Sequence, residues 1–240
     1  MSFSKSIPLS FLLFCLLHHA ASGASPLYHI CFSKANYTAA SSPYHANLKT
    51  VLNLLSTKVP PSGFGVASRG TGPNKVNGLA LCRGDVSSSK CKTCVVEASK
   101  ELRARCPSKK GAVIWYDHCM VKYSNGNFVG EIDNTNKFYK WSIKTVSNPS
   151  IFNKNVKKLL SGLSDKASSN QKFYKTGVLQ LDNSKKLYGL VQCTRDLSRL
   201  ECKKCLDAAM TELPKCCDAK RGGRVVGASC NFRYELSPFV

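Results

Sequence analysis

Five cysteines occur twice at identical spacing. Cys82-x8-Cys91-x2-Cys94-x11-Cys106-x12-Cys119 is followed by Cys193-x8-Cys202-x2-Cys205-x11-Cys217-x12-Cys230, and a shift of 111 residues carries each member of the first set onto the second. Chance does not match five cysteines at four spacings. The chain therefore holds one small module in duplicate, and cross-links between these positions would limit how each copy can fold.

Whether the cysteines are bonded depends on the compartment. Lys5, the apolar run from Ile7 to Leu17 and the small residues Ala20, Ala21, Ser22, Gly23 and Ala24 read as a secretory signal over residues 1–24. The run is shorter than the roughly 20 residues a spanning helix needs, and no later stretch is longer or more apolar. A secreted, extracellular product without a transmembrane segment is expected. Cleavage would remove Cys15 and leave twelve of the thirteen cysteines, an even set that an oxidising compartment favours as disulfides. Cys91-x2-Cys94 and Cys202-x2-Cys205 also have zinc-ligand spacing. Zinc would leave the other cysteines without a role, and a thioredoxin-like pair would need a βαβ context that is missing here. No cofactor and no metal is expected.

The remaining length, about 216 residues, divides into two units of the size that buries its own core. Boundaries at 25–131 and 132–240 are expected. The formal charge is +21 and is evenly spread: residues 25–140 carry 16 basic and 6 acidic side chains, residues 141–240 carry 18 and 8. Such a surface attracts acidic partners at long range. Outside a cell those are anionic polysaccharides, acidic proteins or lipid headgroups rather than nucleic acid. Asn36-Tyr37-Thr38 is a usable glycosylation sequon, whereas Pro149 blocks Asn148-Pro149-Ser150.

Both halves show the same order of elements. Leu48, Val51, Leu52 and Leu55 lie on one face of a helix, and Val156, Leu159, Leu160 and Leu163 repeat the pattern. Extended stretches follow at 64–68 and 76–82, matched by 173–181 and 187–193. A second helix is expected over 89–105 and again over 200–213, where Pro214 would stop it. Two short strands close each half, at 112–115 and 120–123 and at 224–226 and 231–234. Residues 125–140 read as a polar, partly packed connector. Together these elements predict an α+β fold: two tandem antiparallel sheets, each with two helices on one face. The helix patterns are offset by 108 residues and the cysteines by 111, so three extra residues are expected, most readily in the Gly/Pro turn between the paired strands.

The Cys-x8-Cys-x2-Cys core resembles the plant ginkbilobin-homologous, or stress-antifungal, domain. Tyr188-Gly189-Leu190-Val191-Gln192-Cys193, Cys216-Cys217-x4-Gly222-Gly223-Arg224-Val225 and Cys230-Asn231-x-Arg233-Tyr234 carry the likeness. Two tandem copies behind a signal look like a cysteine-rich repeat secretory protein of land plants. The resemblance implies about five strands per sheet, and the pairs Cys31–Cys106, Cys82–Cys91 and Cys94–Cys119 in the first copy. By repeat it implies Cys193–Cys202 and Cys205–Cys230 in the second. At the 111-residue shift from Cys31 stands Ser142, and Cys216 is extra. Cys216 and Cys217 either bond to each other or remain as free or intermolecular thiols.

Some family members bind mannose through an Asn, an Arg and a Glu. In the first copy the matching positions are Phe32, Val113 and Ser124, which cannot form charge-assisted bonds to hydroxyls. The second copy keeps Arg224 and Glu235, with no assignable Asn near Ser142 and Ile143. A guanidinium and a carboxylate together can grip adjacent hydroxyls, and Lys220 and Arg221 beside them would favour acidic sugars. An Arg224–Glu235 ion pair across neighbouring strands is the simpler alternative, contributing about 0–1 kcal/mol if exposed. Lys154, Lys157 and Lys158 read as a solvated helix face, and Asp117-His118-Cys119 resembles a catalytic fragment by residue type alone. No catalytic residue is assigned. The expected function is that of a non-enzymatic apoplastic binding protein in stress or defence, engaging cell-wall carbohydrate or a receptor ectodomain. The alternatives are an antifungal mannose-binding effector acting on fungal polysaccharide and an interaction module for membrane-anchored relatives.

Overall fold

The structure, a computed structural model, describes residues 25–38 and 42–240; the signal sequence lies outside the described residues. The first module comprises strands β1 (Tyr28–Ile30), β2 (Phe64–Arg69), β3 (Val76–Cys82), β4 (Gly111–Trp115) and β5 (Cys119–Ser124), with helices α1 (Pro43–Lys58) and α2 (Ser88–Arg105). The second comprises β6 (Lys137–Trp141), β7 (Tyr174–Gln180), β8 (Lys186–Cys193), β9 (Gly223–Gly227) and β10 (Cys230–Glu235), with α3 (Pro149–Ser168), α4 (Arg199–Met210) and α5 (Leu213–Cys216). Each sheet is antiparallel and five-stranded, in the orders β1-β4-β5-β3-β2 and β6-β9-β10-β8-β7.

Local sequence sets the helix starts. The Ser42 hydroxyl accepts the His45 N–H at the head of α1, Ser87 accepts that of Lys90 at α2, and Ser198 with Glu201 closes a reciprocal capping box at α4. Tyr44, Leu48, Val51, Leu52 and Leu55 bury one face of α1; Phe152, Val156, Leu160 and Leu163 do the same for α3. These stripes pack on Val76, Ala80, Val121 and Tyr123 in the first module and on Leu187, Val191, Phe232 and Tyr234 in the second. Disulfides Cys82–Cys91 and Cys94–Cys119 tie α2 to β3 and β5, and Cys31–Cys106 ties the segment after β1 to the end of α2. Cys193–Cys202 and Cys205–Cys230 repeat the first two in the second module, and Cys216 is bonded to its neighbour Cys217.

Glycine lets α1 approach its sheet. A Cβ at Gly78 would press on Val51 and lie 3.1 Å from Leu55 Cδ1; one at the equivalent Gly189 would meet Leu159 and Leu163 at 2.9 Å. Gly78→Val is therefore expected to destabilise by about 1–3 kcal/mol through overpacking. The readout is a lower urea midpoint with an unchanged slope; an unchanged midpoint would mean that α1 is free to lift.

Three details differ from the sequence expectation. The polar connector ends in a strand: β6 carries aromatics on both faces, with Phe138 turned toward the first module and Tyr139 toward its own helices, so no period of two is visible. The second helix of the second module stops at Met210, before Pro214. Pro214 instead occupies the first turn of α5, where its missing N–H removes no helical bond. The extra residues are also divided differently. Phe64 pairs with Leu81 and Tyr174 with Gln192, so the two strands are already 110 positions apart. Two of the three extra residues thus precede β7, near the end of the longer α3, and one lies in the hairpin.

The two modules share a third core on the sheet faces that the helices leave bare. Leu79, Leu81, Val113, Trp115 and Met120 of the first meet Phe138, Val226 and Ala228 of the second. Trp115 Nε1 donates to Gly227 O at 3.2 Å, and the Gln192 amide donates to Cys82 O at 3.0 Å. Because helices cover one face and a neighbouring module the other, β3 is buried along its whole length.

A candidate binding cleft between the modules

Arg224 sits on β9, whose neighbours along the strand alternate between the helix core and the bare sheet face. Val225 enters the core, so Arg224 projects from the bare face. Register places it directly opposite Arg233 of β10, with Glu235 two residues further along the same face. An Arg224–Glu235 ion pair does not form. The Glu235 carboxylate lies against Gly222 and accepts from Arg233 Nε at 3.2 Å, whereas Arg224 Nη1 donates to Asp117 Oδ1 at 2.6 Å. Asp117 belongs to the other module. It occupies the turn between β4 and β5 together with His118, while Cys119 is bonded to Cys94.

A second basic group reaches this place from the first module. Arg83, just after β3, holds the Asp85 carboxylate through Nε at 2.6 Å and Nη2 at 2.8 Å, and donates to Asp117 O at 3.3 Å. The Tyr174 hydroxyl of β7 donates to Asp85 at 3.2 Å, so the charged loop docks across the module boundary. Phe239 stacks on the Arg233 guanidinium at 4.0 Å. Arg83, Asp117, His118, Arg224, Arg233 and Phe239 line an open cleft of about 730 Å³, walled on the α2 side by Lys90, Thr93 and Glu97.

Electrostatics keep the cleft charged. Burial raises the Asp117 carboxyl, but the Arg224 hydrogen bond and the charges of Arg224, Arg233 and Arg83 outweigh it and hold the group below the ordinary carboxylate range. Asp85 is likewise lowered, burial being overcome by the Arg83 hydrogen bond and charge. Burial lowers Arg233, and the adjacent Arg224 charge adds to this. A guanidinium carries five N–H donors; Arg224 uses one of them on a protein side chain and Arg233 one. The cleft thus offers several charged donors and partly engaged carboxylates, a set suited to hydroxyls arranged on a ring.

The other residues singled out in the sequence lie elsewhere. Val113 is fully buried between the modules and Phe32 packs beside it, so the first-copy positions serve the shared core. Ser124 is at the end of β5, where its hydroxyl accepts from Gly126 N. Asn36 is exposed and pairs by an isolated bridge with Lys109. Lys154, Lys157 and Lys158 are exposed on α3. The cysteines of each Cys-x2-Cys bond to different partners, and among the described residues no group of three or more His, Cys, Asp or Glu is placed to hold a metal. Sequence reasoning missed Asp117, Arg83 and Arg233 as cleft residues. Arg233 could have been found, since alternation on β10 puts it on the face of Glu235. Asp117 could not, because it enters from the other module.

Two five-stranded sheets packed bare face to bare face, each stapled by disulfides, define a tandem α+β fold of the secreted, disulfide-framed kind. The description "Salt stress response/antifungal" belongs to the family model that matches residues 30–126 and again 139–237, and the chain belongs to this family. It is 65% identical over 237 residues to the antimicrobial ginkbilobin-2-like protein of Castanea crenata, covering 99% of this chain and 98% of that one. It is 53% identical over 216 residues to cysteine-rich repeat secretory protein 38 of Arabidopsis thaliana, covering 89% and 85%. The tandem DUF26 ectodomain of the Arabidopsis thaliana receptor-like protein PDLP8 superposes with a TM-score of 0.79 at 29% identity, over 90% of this chain and all of that one. That of PDLP5 gives 0.72 at 26%, over 89% and 100%. Like these secretory relatives the protein is secreted and extracellular, and among the described residues no helix is long and apolar enough to cross a membrane.

Proposed function

We propose that the protein is a non-enzymatic binding protein of the plant apoplast, acting in stress and antifungal defence by gripping carbohydrate in the cleft between its modules. The observation that carries this reading is the convergence of Arg224, Arg233 and Asp117 on that cleft, each guanidinium giving a single N–H to a carboxylate. Arg224 supplies the donor fork and Asp117 an acceptor from the other module, the pair that ring hydroxyls require, while Glu235, outside the cleft lining, holds Arg233 in place. The ligand would be cell-wall or fungal polysaccharide. No nucleophile with an adjacent base lines the cleft, which supports binding rather than turnover.

A glycan array comparing the wild type with Arg224→Ala tests this. The substitution removes a half-exposed ion pair, so stability should change by only about 0–1 kcal/mol. Glycan signal should fall about tenfold or more, as expected for loss of a charge-assisted bond. Signal indifferent to Arg224 would sink the assignment. A second reading, an interaction module that pairs with membrane-anchored relatives, is favoured by the likeness to receptor-like ectodomains. Ectodomain capture that persists at high salt, with a blank glycan array, would select it.

A further inference from the structure

The segment after β6 differs sharply between the modules. In the first, Ile30 and Phe32 pack on the shared core and Cys31 anchors them to Cys106. In the second, Lys140 opposes Arg224 as Ile30 opposes Val113 in the first, so Trp141, not Ser142, stands where Cys31 does, and the apolar side chains here are turned to water: Trp141 is 53% exposed and Ile143 is 90% exposed. The backbone here is not loose. Ser142 N donates to Gly222 O, Arg221 N to Lys144 O, Val146 N to Ala219 O and Arg221 Nε to Thr145 O, so residues 141–146 form a ribbon with 219–223. This pairing brings Lys144 beside Arg221 and Thr145 beside Lys220, so Lys144, Lys220 and Arg221 share the ribbon with the two apolar residues, whereas Lys140 lies on the opposite face of β6 from Trp141. Lys144, Lys220 and Arg221 make no ion pair within 4 Å among the described residues. The nearby acids are engaged: Glu235 with Arg233, Glu212 with Lys137, and Asp218 with Asn153. Ile151, 60% exposed, lies just beyond, beside a depression it shares with Arg221.

We infer that this ribbon is a docking surface for a lipid bilayer rich in anionic headgroups. An exposed tryptophan beside an aliphatic tip suits the boundary between headgroups and acyl chains. Uncompensated lysines and arginines around it supply the attraction to anionic lipid. A polysaccharide could stack on Trp141 and neutralise the cations, but it gains nothing from the methyls of Ile143. The isoleucine is what selects the bilayer. The surface is distinct from the cleft, whose Arg224 side chain is held by Asp117.

Intrinsic fluorescence reads the contact directly. The chain has two tryptophans, and Trp115 is 2% exposed and bonded to Gly227 O, so an emission change on binding reports Trp141. With vesicles of equal parts phosphatidylcholine and phosphatidylserine, a blue shift and co-sedimentation are expected; with phosphatidylcholine alone, neither. Ile143→Ser should abolish the blue shift without altering the fold, because the side chain touches almost nothing. Lys144→Gln combined with Lys220→Gln should weaken sedimentation about fivefold for each cation removed. Absence of binding, equal binding to neutral vesicles, or a shift unaffected by Ile143→Ser would overturn the inference. So would a matching Trp141 shift with polygalacturonate that Ile143→Ser leaves intact, which would assign the ribbon to an acidic polysaccharide.

Discussion

Replacing Asp133 with alanine is expected to cost about 3–5 kcal/mol of stability, the usual result of stranding a buried charge. Asp133 lies in the connector and accepts from Lys122 Nζ at 2.7 Å, with side-chain exposures of 9% and 5%. Lys122 points from the bare face of the first sheet, and its ammonium also sits 4.4 Å from the centre of the Phe128 ring. The connector is thereby fixed against the first module, while Asp133 N donates to Ser229 Oγ of the second at 2.9 Å. Urea unfolding measures the loss. Converting Lys122 to methionine in the same variant should recover part of it, because no charge then remains unpaired. Recovery stays incomplete, since Asp133 Oδ1 also accepts the N–H groups of Thr135 and Asn136. A loss below about 1 kcal/mol would mean that water reaches Lys122.

The same carboxyl predicts an acid response. Burial raises the Asp133 pKa, but the Asn136 N–H, the Lys122 ammonium and the Asn136 amide together pull it down to about 2, below the ordinary 3.8. A depressed folded value gives stability that is present above the unfolded pKa and lost as the pH falls through the folded one. Its contribution, about 2 kcal/mol, should therefore disappear between about pH 4 and pH 2, and Asp133→Ala should flatten that part of the profile.

The second large effect concerns the cross-links. Replacing Cys31 and Cys106 together with serine is expected to destabilise the protein by about 4 kcal/mol, because their bond closes a loop with a sequence separation of 75. The corresponding change at Cys216 and Cys217, whose separation is 1, should cost almost nothing in loop entropy. Thermal unfolding of the two double variants, with the remaining disulfides intact, compares them. Equal losses would refute the chain-entropy account of these bonds.

The α+β modules were legible because their signals are local. The cysteine ladder set the repeat, and the stripes Leu48 to Leu55 and Val156 to Leu163 marked the helices. What the sequence hid was created by the partner module. Leu79–Cys82 reads as continuously apolar rather than alternating because both faces of this strand are covered. Lys122 looks like an ordinary solvated lysine until the connector folds Asp133 onto it. Arg224 and Glu235 stand on one face of adjacent strands, as their positions in the repeat suggest. Their partners do not follow from the repeat, since Arg224 is engaged by Asp117, a residue 107 positions away in the chain.

The bare-face packing also bears on whether either copy can stand alone. Leu79, Leu81, Trp115 and Met120 would face water if the second module were cut away, and Phe138, Val226 and Ala228 if the first were. Here each copy is the other's missing layer. Separating the two copies of this chain would lay bare an adhesive apolar surface, so substitutions on either side of the seam are constrained to fit together.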